Sequence, residues 1–173
     1  MRFETERLII RSPIPSDAED IFINYTQDPE VTKFLTWKPH ISIEQSKGFI
    51  QYCIENMNTE KKLILSICSK LSNQVIGMHE YRISGFQAEL GYVLSRKYWN
   101  QGIMTEAIKP TIHYMMNREG IFRIWATHDI DNEASGKVME KIGMQFEGVL
   151  RKYAMHPNIS NYPRDVRIYS IVK

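Results

Sequence analysis

One stretch of the chain decides its fold, and it reads Asn100-Gln101-Gly102-Ile103-Met104-Thr105-Glu106-Ala107. The alternating residues before it, Ala88 to Ser95, predict a strand, and the apolar spacing after it predicts a helix from about Thr105 to Asn117. The first N–H groups of a helix have no internal partner, and the helix dipole makes that end partly positive. Gly102 lets a ligand approach the backbone closely. The stretch therefore predicts an anion site of the kind that binds phosphate.

Two other phosphate-binding motifs are missing from the sequence. It contains no G-x-x-x-x-G-K-[ST], the loop that binds nucleotide triphosphates with a lysine and Mg²⁺. It also contains no G-x-G-x-x-G, the glycine fingerprint of dinucleotide-binding folds. The phosphate expected at Gly102 therefore belongs to another class of ligand.

The composition is that of an ordinary globular protein. Of the 173 residues, 43% are hydrophobic and 24% are charged, which predicts a single domain spanning residues 1–173. The net charge of +2 gives no strong attraction to nucleic acid, and no apolar run approaches the length of a membrane span. We therefore expect neither a direct nucleic-acid partner nor a membrane partner.

The cysteines and histidines predict no metal site. Cys53 and Cys68 are the only cysteines and lack the spacing of metal ligands, and the five histidines are scattered. The N-terminus also lacks the apolar core of a signal peptide. Together these features predict a reduced, cytoplasmic protein.

The hydrophobic pattern predicts the element order β-α-α-β-β-β-α-β-α-β-β, which is an α/β or α+β domain with a mixed sheet. The strand that follows the Gly102 helix should pair in parallel with the strand that precedes it. We expect Asn132 to cap the next helix and Gly143 to end it. The expected strands are Glu6 to Arg11, Leu63 to Ser69, Val75 to Ile83, Ala88 to Ser95, Phe122 to Thr127, Gln145 to Tyr153 and Val166 to Val172.

Two segments resemble motifs of the GNAT superfamily of N-acetyltransferases. Residues Tyr98 to Ala107 resemble its acetyl-CoA pyrophosphate loop, and Asn132 to Met144 resemble its later motif N-x-x-S-x-x-V-x-x-K-x-G-F. The opening Thr5 to Arg11, the strand Ala88 to Tyr92 and the ending Arg164-Asp165-x3-Tyr169 are similar to the branch that includes the ribosomal-protein N-terminal (alanine or serine) acetyltransferases. The resemblance covers nearly the whole chain.

This resemblance implies a fold and a co-substrate. The fold would be a mixed, mostly antiparallel sheet of about seven strands, flanked by helices and splayed at a central parallel pair. Acetyl-CoA would lie in the gap, and no metal would be required. Asn132 and Ser135 would sit beside pantetheine and the sulfur, and a backbone N–H near Leu94 would polarise the acetyl carbonyl. The residues implied to contact acetyl-CoA are Val93, Leu94, Asn100, Gln101, Gly102, Ile103, Met104, Thr105, Asn132 and Ser135.

The activity implied by the resemblance is transfer of acetyl from acetyl-CoA to a primary amine. The acceptor would be a protein or peptide N-terminus, or else a small amine such as a polyamine or an antibiotic. Because Cys53 and Cys68 lie far in sequence from the motifs, we expect direct transfer without an acyl-cysteine intermediate. The alternative outside the enzymes is a non-catalytic acyl-CoA-binding module. Either a monomer or a homodimer fits the sequence.

The catalytic base is open among three residues, Glu80, Glu89 and His128. Glu80 is favoured, because its strand should lie beside the cleft where the sheet opens, within reach of an amine. Met139 stands where many superfamily members carry a tyrosine that protonates the CoA thiolate. Since Met139 cannot donate a proton, Ser135 or water would hold the leaving sulfur.

Overall fold

Eight strands form one sheet in the computed structural model, which describes residues 1–57 and 59–173. Their order across the sheet is β1-β2-β3-β4-β5-β6-β8-β7. The mixed sheet is confirmed, and β1 adds one strand to the seven expected, because three residues are too short to show a pattern. The strands are β1 (Arg2–Glu4), β2 (Leu8–Arg11), β3 (Lys62–Ser69), β4 (Val75–Ser84), β5 (Gln87–Leu94), β6 (Arg123–Asp129), β7 (Gln145–Ala154) and β8 (Arg164–Val172).

The longer helices follow the signals in the sequence, but two short elements do not. The predicted cap holds: the Asn132 side chain accepts from the backbone N–H of Ser135 at 3.4 Å. Gly143 ends that helix at φ +92°, where a residue with a side chain would be strained. The unexpected elements are a π-helical turn over Phe22–Thr26, which follows the first helix directly, and the short helix Pro29–Thr32. The helices are α1 (Asp17–Ile21), α2 (Pro29–Thr32), α3 (Ile43–Asn56), α4 (Ile103–Asn117) and α5 (Glu133–Lys141), with a 3₁₀ turn at Arg96–Tyr98.

Helices cover the two faces of the sheet unequally. On one face, α4 and α5 pack on side chains from strands on both sides of the sheet centre, such as Tyr81, Leu90 and Ile124. On the other face, α1 and α3 pack through residues such as Ile21 and Ile50. In the part of the chain that the structure describes, this second cluster has no member from β6, β7 or β8. This second hydrophobic cluster therefore ends at β5.

The central pair of strands is parallel and short. β5 and β6 pair only at Gln87 with Arg123, Ala88 with Ile124, and Glu89 with Trp125. β5 then continues to Leu94 and β6 to Asp129 without further pairing between them. The expected parallel crossover and the expected splay are both confirmed, and the sheet opens immediately after Glu89.

A glycine in α5 allows that helix to lie close to β6. A Cβ at Gly136 would be 2.8 Å from Nε2 of His128 and 3.5 Å from the hydroxyl of Tyr169. The His128 ring cannot easily retreat, because its Nδ1–H donates to the Asp129 carbonyl at 2.8 Å. This contact fixes the distance between α5 and the strand that borders the opening.

We predict that Gly136→Ala lowers the free energy of unfolding by about 1 kcal/mol or more, because overpacking outweighs the gain in helix propensity. The measurement is urea unfolding followed by circular dichroism. The matched control is Gly48→Ala in α3, where a Cβ meets nothing within 4 Å. That control should be stabilised by up to about 1 kcal/mol. Equal stabilisation of both variants would contradict the close packing of α5.

Candidate active site

A cleft of about 560 Å³ lies where the sheet opens. Its walls are the end of β5, the N-terminal turns of α4 and α5, and the segment that begins with α2, including Val31 and Phe34. All but one of the residues expected to contact acetyl-CoA line it: Val93, Leu94, Asn100, Gly102, Ile103, Met104, Thr105, Asn132 and Ser135. The exception is Gln101, whose side chain donates to the Lys97 carbonyl at 2.8 Å.

The N-terminus of α4 has the geometry of an anion site. Gly102 adopts φ +72°, and Asn100 also has a positive φ of 58°, so that the loop turns sharply into the helix. No side chain caps this helix. The N–H groups of its first turn are therefore available to a ligand in the cleft, with the favourable end of the helix dipole behind them. A pyrophosphate group fits this arrangement.

A network from the start of the chain fixes the loop before α4. Glu106 accepts hydrogen bonds from the Arg7 backbone N–H at 3.0 Å, from Arg7 Nε at 2.7 Å and from the Thr5 hydroxyl at 2.5 Å. Arg7 Nη1 also donates to the Gln101 carbonyl at 3.0 Å. Burial would raise the pKa of Glu106, but the bonds from Thr5 and Arg7 outweigh burial and leave the pKa below its usual value. Sequence reasoning missed this role, although both Arg7 and Glu106 stand within the motifs.

Ser135 is fixed from both sides of the opening. Asn132 Nδ2 donates to the Ser135 hydroxyl oxygen at 3.2 Å, and the Tyr92 hydroxyl on β5 donates to the Ser135 carbonyl at 2.9 Å. Burial raises the pKa of Tyr92 well above its usual value, so this hydroxyl stays protonated and keeps its hydrogen bond. The Ser135 oxygen, while accepting from Asn132, still has its own hydrogen to donate. The contribution of Tyr92 was not evident from the sequence.

The three candidate bases lie in different surroundings, and none of them lines the cleft. Glu80 on β4 is opposite Gly91 and pairs with Arg82, with its Oε1 3.2 Å from Nη1. Glu89 pairs with the other end of the same guanidinium, at 3.1 Å. His128 is buried against α5, on the opposite face of the sheet.

Residues 1–57 and 59–173 form neither a metal site nor a membrane-spanning helix. Within those ranges, no group of His, Cys, Asp and Glu side chains is arranged to hold a metal ion. No helix there is both long and apolar enough to cross a membrane. Met139, which stands where many superfamily members carry a tyrosine, is 1% exposed and belongs to the core.

Comparison with known proteins now identifies the family. The sequence model of the acetyltransferase (GNAT) domain matches residues 7–145. The chain belongs to the GNAT acetyltransferase family. It is an enzyme that transfers acetyl to an amine, with acetyl-CoA as its co-substrate, and the GNAT fold and co-substrate expected from the sequence are confirmed.

Three proteins illustrate how similar the relatives of this GNAT enzyme are. The N-acetyltransferase YoaA of Bacillus subtilis is 35% identical over 98% of the chain and 96% of its own length. The ribosomal protein uS5-alanine N-acetyltransferase of Escherichia coli is 24% identical over 90% of the chain and 84% of its length. The crystal structure of the microcin C7 self-immunity acetyltransferase MccE, in complex with acetyl-CoA and AMP, has a TM-score of 0.86 at 27% identity, covering 98% of the chain and 94% of MccE.

We predict that Gly102→Val raises the Kd for CoA by at least about tenfold, which is about 1.4 kcal/mol. A β-branched side chain blocks the approach of phosphate to the backbone. The measurement is isothermal titration calorimetry with CoA. Gly120→Val is the matched control, because Gly120 has a similar φ of +79° and open surroundings but lies outside the cleft. If both variants bound CoA like the parent, the α4 terminus would not be the pyrophosphate site.

Proposed function

We propose that this acetyltransferase acetylates the N-terminal amine of a protein or peptide. The observation that carries the proposal is a second groove of about 330 Å³, which adjoins the cleft and shares Glu30 and Lys33 with it. A peptide needs such an extension beyond the reacting amine, whereas a small amine does not. The uS5-alanine N-acetyltransferase is similar to 90% of this chain, and its activity supports an N-terminal amine as the acceptor.

The second groove has walls that are fixed to each other. Asn158, in the loop between β7 and β8, donates through Nδ2 to the Thr32 carbonyl at 2.7 Å and to the Trp37 carbonyl at 2.8 Å. These two bonds join segments more than 120 residues apart in the chain. A groove whose walls are already fixed loses less conformational entropy when a peptide binds in it. This favours an extended acceptor.

The transfer proposed is direct. The amine nitrogen attacks the acetyl carbonyl carbon, the carbon–sulfur bond breaks, and the amine proton passes to Glu80, directly or through one water. A backbone N–H near Leu94 stabilises the negative charge on the carbonyl oxygen. The Ser135 hydroxyl donates a hydrogen bond to the leaving sulfur, which then takes a proton from water.

The cysteines support transfer without an acyl-enzyme. Burial raises the pKa of Cys53 to about 12 and that of Cys68 to about 11, so neither thiol forms a nucleophilic thiolate near neutral pH. Both are free thiols, which suits the reducing cytoplasm where we place this enzyme, as one domain over residues 1–173.

A small-molecule acceptor is the second candidate. It is favoured by the likeness to MccE, a microcin C7 self-immunity acetyltransferase whose crystal structure is a complex with acetyl-CoA and AMP. The two candidates differ in their use of the second groove, which an extended peptide would occupy and a small molecule would not need. An acceptor panel separates them.

The panel measures release of free CoA thiol with peptides that begin with alanine or serine, with spermidine and with an aminoglycoside. We predict turnover of the free peptides and none of the same peptides acetylated at their N-termini, which are the matched controls. Turnover of the small amines alone would favour the second candidate. If none of these acceptors releases thiol although acetyl-CoA binds in calorimetry, the remaining interpretation is a non-catalytic binding module.

We predict that Glu80→Gln lowers kcat/KM for the accepted amine by about 10²-fold or more, because the substitution keeps the shape and removes the base. The Kd for acetyl-CoA should not change. Raising the pH should partly restore the rate, because more of the amine is then neutral. The control is Glu119→Gln, an exposed glutamate outside the cleft. If Glu80→Gln turned over normally while Glu89→Gln or His128→Gln did not, the base would be that other residue.

A further inference from the structure

A buried carboxylate lies at the end of β6, next to the cleft. Asp129 is the last residue of that strand, and its side chain is 0% exposed. Arg164, the first residue of β8, donates to it through Nε at 2.6 Å and through Nη2 at 2.9 Å. Burial would raise the pKa of Asp129, but the bonds from Arg164 and from the Asp131 backbone outweigh burial and leave the pKa below its usual value. The carboxylate is therefore charged near neutral pH, and Arg164 compensates that charge.

The same carboxylate holds the turn that leads into α5. Asp129 Oδ1 accepts from the Asp131 backbone N–H at 3.0 Å, and the Asp129 carbonyl accepts from the Asn132 N–H at 2.8 Å. Arg164 adds a further bond, from Nη2 to the Asp131 carboxylate at 2.5 Å. Asp131 and Asn132 both line the cleft, and Asn132 also bonds to Ser135. Arg164 thus helps to fix one wall of the acetyl-CoA cleft.

Both ends of the loop between β7 and β8 lie at Asp129. Arg164 belongs to the last residue pair between the two strands, so it stands at one end of the loop, which spans residues 155–163. Near the other end, the side chain of His156 is 7% exposed and places Nε2 3.7 Å from Asp129 Oδ2. The loop carries Asn158, which lines the second groove. A wall of that groove is therefore anchored to the same carboxylate as a wall of the cleft.

We infer that Arg164 is a positioning residue that joins the acceptor-binding loop to the acetyl-CoA cleft. It acts together with Asp129 and Asp131, and we call these three residues the Arg164 joint. The planar guanidinium of an arginine can contact two carboxylates at once, in a geometry that the single ammonium of a lysine cannot reproduce. The inference rests on the proposed function for the use of the second groove by the acceptor, whereas the joint itself concerns only residues of this chain.

A comparable ion pair at the other end of β6 provides the matched control. Arg123, the first residue of β6, pairs with Glu147 of β7 and donates to the Ser170 hydroxyl of β8 at 3.0 Å. Its side chain is 24% exposed, against 26% for Arg164. Arg123 lines neither the cleft nor the second groove. Arg123→Gln therefore removes a bridge of the same kind and burial that touches neither site.

The first test is hydrogen exchange of backbone amides in the free enzyme carrying Arg164→Gln. Two amides report on the turn before α5 because they bond to Asp129, and two report on the loop because they bond to the carbonyl of its second residue. These amides are those of Asp131 and Asn132 for the turn, and those of Ile159 and Ser160 for the loop. We expect all four to exchange at least about tenfold faster than in the parent.

Two other variants give the contrast in this exchange experiment. Asn158→Ala removes the bonds from the loop to Thr32 and Trp37, so it should speed the loop amides alone. Arg123→Gln should leave all four amides at their parent rates. If Arg164→Gln sped only the turn or only the loop, the joint would be wrong.

The second test asks whether both binding sites respond to Arg164→Gln. KM for the peptide accepted in the panel should rise by about tenfold, since a loosened groove wall must be ordered when the peptide binds. The Kd for CoA in calorimetry should rise by about threefold or more, since the turn that carries Asn132 is loosened too. Asn158→Ala should raise KM alone. In the double variant KM should be no higher than in Arg164→Gln, because both substitutions free the same loop.

A purely structural role of Arg164 gives different results. It predicts that the two rises in KM multiply in the double variant, or that Arg123→Gln raises KM and Kd as much as Arg164→Gln does. Either result would overturn the inference. If the parent acetylates no peptide, the proposed function fails, while the exchange rates and the Kd for CoA still decide whether the joint exists.

Arg164→Lys keeps the inference testable if Arg164→Gln does not fold. The lysine ammonium still compensates Asp129, but it lacks the planar group that reaches both carboxylates. We expect the same pattern of faster exchange and raised KM and Kd, at a smaller size. A folded Arg164→Lys variant with parent values of all these quantities would contradict the inference.

Discussion

The rest of the structure depends on the point where the pairing of β5 and β6 ends. Three residue pairs join these parallel strands, and after Glu89 and Trp125 their backbones separate. Backbone groups without partners are costly when buried, so an opening of this kind persists only where other groups satisfy or cover its edges. The Leu94 carbonyl, for example, accepts from Trp99 Nε1 at 2.8 Å. The Tyr92 hydroxyl on β5 donates to the Ser135 carbonyl and so ties the end of β5 to the start of α5.

A second constraint places the helix dipole at this opening. α4 can begin beside the end of β5 only if its loop is fixed there, and Arg7 and Glu106 supply that fixation across 99 residues of chain. The bridge is partly exposed, with 46% and 19% of the two side chains accessible, so its electrostatic contribution to stability is modest. Its effect is on position. It holds the uncapped N–H groups of α4 towards the cleft, where charge stabilisation can act on an anionic ligand.

The sequence predicted what depends on neighbours along the chain. The cap at Asn132, the stop at Gly143 and the strand meander before the Gly102 loop come from residues a few positions apart. Contacts between distant residues were not predictable in this way. The pairing of Arg7 with Glu106, the bond from Tyr92 to Ser135 and the turning of Gln101 away from the cleft depend on how separate elements dock. The identity of the base falls in the same group, because it depends on which face of the sheet the acceptor approaches.

The most direct measurement of the central claim is hydrogen exchange of the backbone amides with and without CoA. The account predicts that the amides of Ile103, Met104 and Thr105 exchange fast in the free enzyme and slow down when CoA is bound. The amides at the start of α3, which also begins without a side-chain hydrogen bond at its cap, are the internal reference and should not change. Protection confined to other segments, or equal protection at both helix starts, would contradict the claim that the opening and the terminus of α4 form the acetyl-CoA site.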